Sequence, residues 1–447
     1  MKDIRVIHRT MTRLAAVVMT FMVMACSSID EDFYFSDEPA TGGATSGREL
    51  MEEERKVFIL WSLGFNNLSS YLVSDLDDLT SGWLPGSTRK EDVVLAFCHN
   101  TAGAYSKQTS PVLMRIYRDL NGNAQRDTVL VLPKNTISAS SETMEEVLTY
   151  IKDQYPAAGY GMLISSHGTG WVPEGYCSNP SQFEGTTPFG SWRSARRPVP
   201  YTEPVQTEGM PMTKSIGCQN ITSKSVYEID ITDMADAIPM KMDYIIFDAC
   251  FMGGIEVAYE LREACDKVIF SQTEILADGM DYVTMLTYLL ENGTPDLEGF
   301  CRNYFDHYDK ESGAWRSATI SLVDCTRLEP LAQVCRDLFE SHRTGIAVLE
   351  GNYKVQRYYR IENTGHRWFF DLESIVRHAG ASESEIGRLQ AALEECVLYK
   401  AATKQFMQVI DINTHSGLSM YLPYKGLNYL NRFYIGLEWN KATILIK

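Results

Sequence analysis

Apolar residues in this chain gather in short runs: Val57-Phe58-Ile59-Leu60-Trp61, Val93-Val94-Leu95-Ala96-Phe97, Tyr160-Gly161-Met162-Leu163-Ile164-Ser165, Tyr244-Ile245-Ile246-Phe247 and Val268-Ile269-Phe270-Ser271. Each has the length and composition of a buried strand. Between them the apolar positions take helical spacing, as in Leu68, Leu72, Leu76 and Leu79. Ser141 to Tyr155 opens with hydroxyls and acids, which favour a helix start, and Ile255 to Ala264 also reads as a helix. Leu113–Tyr117 and Val129–Leu132 flank the turn dipeptide Asn121-Gly122 and predict a hairpin. Strands alternating with helices predict an α/β fold: a mostly parallel sheet covered by helices on both faces. Beyond residue 290 the pattern is more helical, ending in Ser416-Gly417-Leu418-Ser419-Met420-Tyr421-Leu422-Pro423.

Two stretches break the alternation. Residues 178–219 are rich in Pro, Gly, Ser and Thr and show no period, the mark of a mobile or functional insertion. The N-terminus has Arg5, Arg9 and Arg13 before an apolar run from Leu14 to Met24, too short for a membrane span and suited to a signal-peptide core. It ends in Val23-Met24-Ala25-Cys26, which resembles the lipobox of bacterial lipoproteins. That resemblance implies removal of residues 1–25 and acylation of Cys26, hence a membrane anchor in the cell envelope. The acidic residues that follow, Asp30-Glu31-Asp32, resemble an outer-surface export signal, which places the protein at the outer membrane. Residues 26–54 have a tether composition. The expected layout is therefore signal peptide 1–25, tether 26–54, core 55–290 with the insertion 178–219, and a C-terminal helical/β subregion 291–447 packed on that core.

Composition narrows the partners. The 447 residues carry a formal charge of −17, which argues against nucleic acid as the partner. The 10 cysteines include no CxxC pair and no zinc-finger spacing, so they give no sign of a zinc site. Asp119-Leu120-Asn121-Gly122-Asn123 and Asp127 lack the final Glu of a calcium loop and fit a hairpin tip better.

In open α/β sheets, ligands bind beyond the carboxyl ends of the strands. One strand runs into Ser165-Ser166-His167-Gly168-Thr169-Gly170-Trp171, another into Asp248-Ala249-Cys250-Phe251-Met252-Gly253-Gly254. A thiol is intrinsically nucleophilic, and a nearby imidazole can exchange protons with it or with a leaving amine. Gly168 allows close backbone approach, and its N–H with that of Cys250 would form an oxyanion hole. A helix beginning just after Cys250 would add a positive dipole end. Each residue alone is more often a packing or hydrogen-bonding group; the combination points to chemistry.

The His-Gly dipeptide after one strand and the Cys after a later one resemble the caspase-like cysteine peptidases. The wording of both segments, with Asn66-Asn67-Leu68 and Gly417–Pro423, is closest to the clostripain family. The resemblance implies a caspase-like three-layer fold and a cysteine endopeptidase that cuts after Arg or Lys through His167 and Cys250. It also implies that Asp248 lines the primary specificity pocket, with Asp278 as a second acid there. Members of the group cut themselves between the His and Cys strands, which makes Arg193 and Arg196 the expected sites, Arg197 being followed by Pro198. The chemistry needs no cofactor; calcium is expected by resemblance only, with no designated ligands. The expected partner is a peptide or protein substrate bearing Arg or Lys. A peptide- or glycan-binding lipoprotein on the same scaffold, and a transpeptidase or ligase, are the alternatives.

Overall fold

The computed structural model of the chain describes residues 54–88, 90–102, 107–184, 198–200, 210–214, 219–222, 224–360 and 367–447. Cys26, the tether, Arg193 and Arg196 lie outside the described residues. The described residues within 54–86 and 90–447 form one compact unit; of the remaining grouping only Ser87 and Thr88, a bend, are described.

A 9-stranded mixed sheet runs through the compact unit. In chain order its strands are β1 Lys56–Gly64, β2 Val93–Asn100, β3 Val112–Arg118, β4 Ala124–Val131, β5 Gly159–Ser165, β6 Met242–Asp248, β7 Cys265–Phe270, β8 Thr319–Asp324 and β9 Val397–Ala402. In space the order is β9-β8-β7-β6-β5-β1-β2-β3-β4. The central strands β2, β1, β5, β6 and β7 are parallel, and both flanks are antiparallel. The predicted hairpin is present, with Gly122 at φ 82° in its turn. Asp119 Oδ1 accepts the N–H groups of Asn121 at 2.9 Å and Asn123 at 2.8 Å, so this carboxylate closes the turn.

Side chains leave a strand on alternate faces, so each apolar run feeds two cores. From β1, Val57, Ile59, Trp61 and Leu63 join the larger cluster, while Phe58 and Leu60 join the other. The first core is covered by helices Ser141–Gln154, Leu328–Ser341 and Glu383–Cys396, the second by Ser69–Ser81 and Leu297–Asp309. Ser140 caps the helix Ser141–Gln154, its side chain accepting from the Thr143 N–H. This is the expected three-layer α/β arrangement. The expected boundary at residue 290 does not divide the sheet, because β8 and β9 from beyond it extend the same sheet outward from β7. No described helix is long and apolar enough to cross a membrane.

Candidate active site

The chain order builds outward from β1 to β4, then returns to the other side of β1 with β5 and β6. Where the order reverses, the carboxyl ends of β1, β5 and β6 leave a crevice. Register pairs Ser62 with Ser165 and Ser165 with Asp248. His167 and Cys250 each stand the same distance past that last pair, so adjacent parallel strands present them at one edge.

His167 is buried, and its Nε2 lies 2.7 Å from Asn67 Oδ1. An amide oxygen only accepts, so Nε2 carries the proton of this bond. Asn67 is placed by the turn after β1: Asn66 Oδ1 accepts the Leu68 N–H at 2.9 Å, and Asn66 Nδ2 donates to the Leu63 carbonyl at 2.9 Å. Burial pulls the imidazole down to about 4, partly offset by a hydrogen bond with the backbone of Lys214. The sequence singled out the Asn66-Asn67 turn only by family likeness; its role in orienting the ring emerges from the structure.

The Cys250 thiol is fully buried, and its Sγ accepts the Ile275 N–H at 3.1 Å. Burial pushes the thiol well up, the Glu274 carboxylate adds to this, and the Ile275 hydrogen bond opposes it. Phe251 follows at φ 61°, a left-handed conformation costly for a bulky residue. It is held there by Phe251 N–H to Thr273 carbonyl, 2.9 Å, and by stacking on Phe369 with centroids 4.7 Å apart. The helix after this turn begins at Ile255, as expected, and runs to Glu260. Gly168 lies against the Cys250 backbone. A Cβ there would meet the Cys250 carbonyl oxygen at 2.6 Å and its nitrogen at 3.1 Å, so only glycine lets these backbones approach so closely.

The Cys250 turn rests on the C-terminal segment. The Ser419 N–H donates to the Gly253 carbonyl at 2.8 Å, and Gln272 Nε2 donates to the Gly417 carbonyl at 2.9 Å. Buried Glu256, in the first turn of the following helix, accepts the Tyr421 N–H and the Tyr434 hydroxyl, both at 2.8 Å.

Asp248, at the end of β6, is wholly buried and is ion-paired with Lys214 Nζ. The same ammonium donates to Ser165 Oγ at 3.1 Å and lies 3.7 Å from Asp75 Oδ2. Tyr282 donates its hydroxyl to Asp248 Oδ2 at 2.6 Å. Burial alone would lower Lys214, but the Asp248 and Asp75 carboxylates outweigh it and raise the ammonium. Burial pushes Asp75 up to about 7 against the pull of Lys214. The place expected for Asp278 is corrected: its side chain is exposed, and the acid that joins Asp248 at the Lys214 ammonium is Asp75, on the helix Ser69–Ser81. Gly279, not Asp278, stands against Asp248 and Lys214. Its φ is 68°, and a Cβ there would meet Asp248 Oδ2 at 2.6 Å and Lys214 Nζ at 2.8 Å.

Lys214 belongs to the insertion, and its backbone is seated too. The Lys214 N–H donates to the Ile275 carbonyl at 2.9 Å, and the Ala277 N–H to the Met212 carbonyl at 2.8 Å, with Thr213 opposite Leu276 in an antiparallel bridge. Met212 packs against Leu68, Leu72 and Ala277. Residues 212–214 thus add a short strand to the edge carried by 275–277, the way extended peptides dock on sheet edges. Nothing in the local sequence marked this segment apart from its place between the His and Cys strands.

The clostripain family model matches residues 60–182 and 206–442. The chain belongs to the clostripain family. It is a cysteine-type peptidase of that family, with the caspase-like fold. Among solved structures it is similar to a secreted C11 cysteine protease from Bacteroides thetaiotaomicron, "iotapain", at 26% identity over 88% of this chain and 99% of that one, TM-score 0.67. It is also similar in fold to an inactive zymogen C11 protease from Parabacteroides distasonis, at 24% identity over 87% and 97%, TM-score 0.68. A further match is a secreted C11 protease from Bacteroides thetaiotaomicron in complex with an irreversible peptide inhibitor, at 21% identity over 87% and 98%, TM-score 0.65. Among curated proteins there is no match. Among the described residues no group of three or more His, Cys, Asp or Glu is placed to hold a metal ion, so no calcium ligands can be named.

Proposed function

We propose that the protein is an endopeptidase that cuts after Lys or Arg with Cys250 and His167, and that it is held latent by its own Lys214. The observation that carries this reading is the seating of Lys214: a wholly buried ammonium on Asp248, beside the nucleophile, with substrate-like backbone pairing. Cys250 passes its thiol proton to His167 and attacks the carbonyl carbon of the basic residue as thiolate, and the Gly168 and Cys250 N–H groups hold the oxyanion. His167 protonates the leaving amine, and water then releases the acyl group from sulfur. Asp248 reads the basic side chain, with Asp75 deepening the negative field. The reaction as written takes no cofactor.

Latency has a physical source in the same contacts. With Lys214 in place, the thiol and the imidazole are both buried and both neutral. Hydrolysis of the Lys214–Ser215 bond frees the segment to leave, and water and substrate then enter. This reading favours Lys214 over Arg193 and Arg196 as the processing site. Export as a lipoprotein through Cys26 to the outer membrane is part of the same proposal; loss of radiolabelled palmitate incorporation in Cys26→Ala would support it, and retained label would reject it.

The test is turnover of fluorogenic peptides ending in Lys or Arg by the full chain and by Cys250→Ala. Turnover of basic peptides that vanishes in the variant supports the reading. Turnover that survives in Cys250→Ala, or that prefers non-basic peptides, sinks it.

A further inference from the structure

The loops that follow the His and Cys strands must keep one relation if an oxyanion is to be held between them, and both turn through left-handed backbone. The His167 loop does so at Gly170, φ 63°, and the Cys250 loop at Phe251, φ 61°. Phe369 touches both turns. Its ring stacks on Phe251 with centroids 4.7 Å apart and planes 9° from parallel. A Cβ on Gly170 would lie 2.6 Å from the Phe251 carbonyl oxygen and 2.8 Å from Phe369 Cε1, so the Gly170 backbone sits in the corner those two groups make. The ring draws its own support from neither loop. The Phe369 carbonyl accepts the Tyr358 N–H at 2.9 Å, and the Tyr358 hydroxyl donates to buried Asp371 at 2.9 Å. Asp371 also accepts the N–H groups of Ser374 at 2.9 Å and Ser416 at 2.7 Å. The reacting side chains have separate holds, His167 Nε2 on Asn67 and Cys250 Sγ on the Ile275 N–H. What the ring sets is therefore backbone: Gly168, two residues before Gly170, against Cys250, one residue before Phe251. Phe369 is 0% exposed and has no surface for a substrate to touch.

We propose that Phe369 is a positioning residue for acyl transfer: its ring holds the Gly170 and Phe251 turns together so that the Gly168 and Cys250 N–H groups converge on one oxyanion. The inference rests on the proposed peptidase activity. N–H donors stabilise a developing charge only where they already point at it, and a misplacement on the order of 1 Å costs about a hundredfold in rate. A left-handed turn at a residue with a Cβ persists only while its surroundings hold it. Leu at position 369 keeps the site apolar but removes the flat face that Phe251 stacks on and Gly170 leans against.

The test uses the processed enzyme and peptides ending in Lys. Phe369→Leu is expected to lower kcat about thirtyfold and to leave KM within about twofold, since the pocket at Asp248 is untouched. Alkylation of Cys250 by iodoacetamide uses the thiol and the imidazole but forms no oxyanion, so its rate is expected to stay within about twofold of the parent. Phe369→Tyr keeps the stacked face and is expected to hold kcat within about threefold. Phe251→Leu breaks the same stack from the other side, so the double variant with Phe369→Leu is expected to lose no more than either single one. An unchanged kcat in Phe369→Leu overturns the inference. So does a fall in alkylation by the same factor as kcat, which would make the ring a general prop of the fold, and so do additive losses in the double variant. A parent enzyme with no Cys250-dependent turnover overturns the proposed activity, and the inference with it.

Discussion

The turn carrying Cys250 and the segment lying across it are fastened in contrasting ways. Beneath the nucleophile, Phe251 and Gly253 bond to Thr273 and Ser271, Gly253 and Gly254 meet Ser419, and Glu256 ties in Tyr421 and Tyr434. Every tie runs between buried segments far apart in the chain, so the turn cannot shift without the core shifting. Above it, residues 212–214 hold on through a short two-sided backbone pairing, the Thr213 hydroxyl and one ion-paired lysine. A buried ion pair gains little net stability, but removing one partner is expensive. The lower region is therefore built to stay; the upper one, on the proposed reading, is held only until its own bond is cut.

The largest effect is expected at the pocket that both the segment and a substrate would use. Asp248→Asn is expected to lower kcat/KM on Lys-ending peptides at least a hundredfold, about 3 kcal/mol, since it leaves a buried ammonium without its direct partner. The loss should be far smaller on peptides ending in an uncharged residue. Steady-state kinetics on both peptide types checks this; an equal loss on both would mean that Asp248 is a structural acid.

Asn67→Ala comes next. It frees the His167 ring without touching the pocket, so kcat is expected to fall about tenfold to a hundredfold with KM little changed. A rise in KM at constant kcat would place Asn67 in substrate binding instead.

The smallest effect concerns the lower region. Burial pushes Glu256 up to about 7, with its hydrogen bonds from Tyr421 and Tyr434 opposing. A carboxyl raised above its unfolded value contributes stability that is complete below about pH 4 and is lost as pH rises through about 7. Glu256→Gln keeps the acceptor oxygen without the charge, so it is expected to gain about 1 kcal/mol on the wild type between pH 5 and pH 8. Glu256→Ala should lose about 2 kcal/mol through the orphaned Tyr434 hydroxyl and Tyr421 N–H. Denaturant unfolding at the two pH values measures both. Identical pH slopes for wild type and Glu256→Gln would show that this carboxyl does not titrate as described.

Residues placed by their own strand were legible in the sequence. His167, Cys250 and Asp248 follow apolar runs directly, and a parallel sheet aligns the ends of neighbouring runs. Residues placed by packing were not. Asp75 reads as one more polar position on an amphipathic helix, and only the docking of that helix brings it to Lys214. Asp278 looked suitable beside a glycine, yet the left-handed turn at Gly279 puts backbone, not the Asp278 side chain, against Asp248. Lys214 sits in an aperiodic stretch, where composition reports the absence of a core and not the presence of a docking edge. β8 and β9 were absorbed into a supposed separate subregion because antiparallel edge strands carry no helix-crossover signature.

The most direct test is the mass of the fragments formed when the full chain is incubated alone, beside Cys250→Ala. The account predicts a Cys250-dependent cut with Lys214 as the new C-terminus and Ser215 as the new N-terminus. Cutting after Arg193 or Arg196 with the Lys214–Ser215 bond intact, or the same cut in Cys250→Ala, would contradict it.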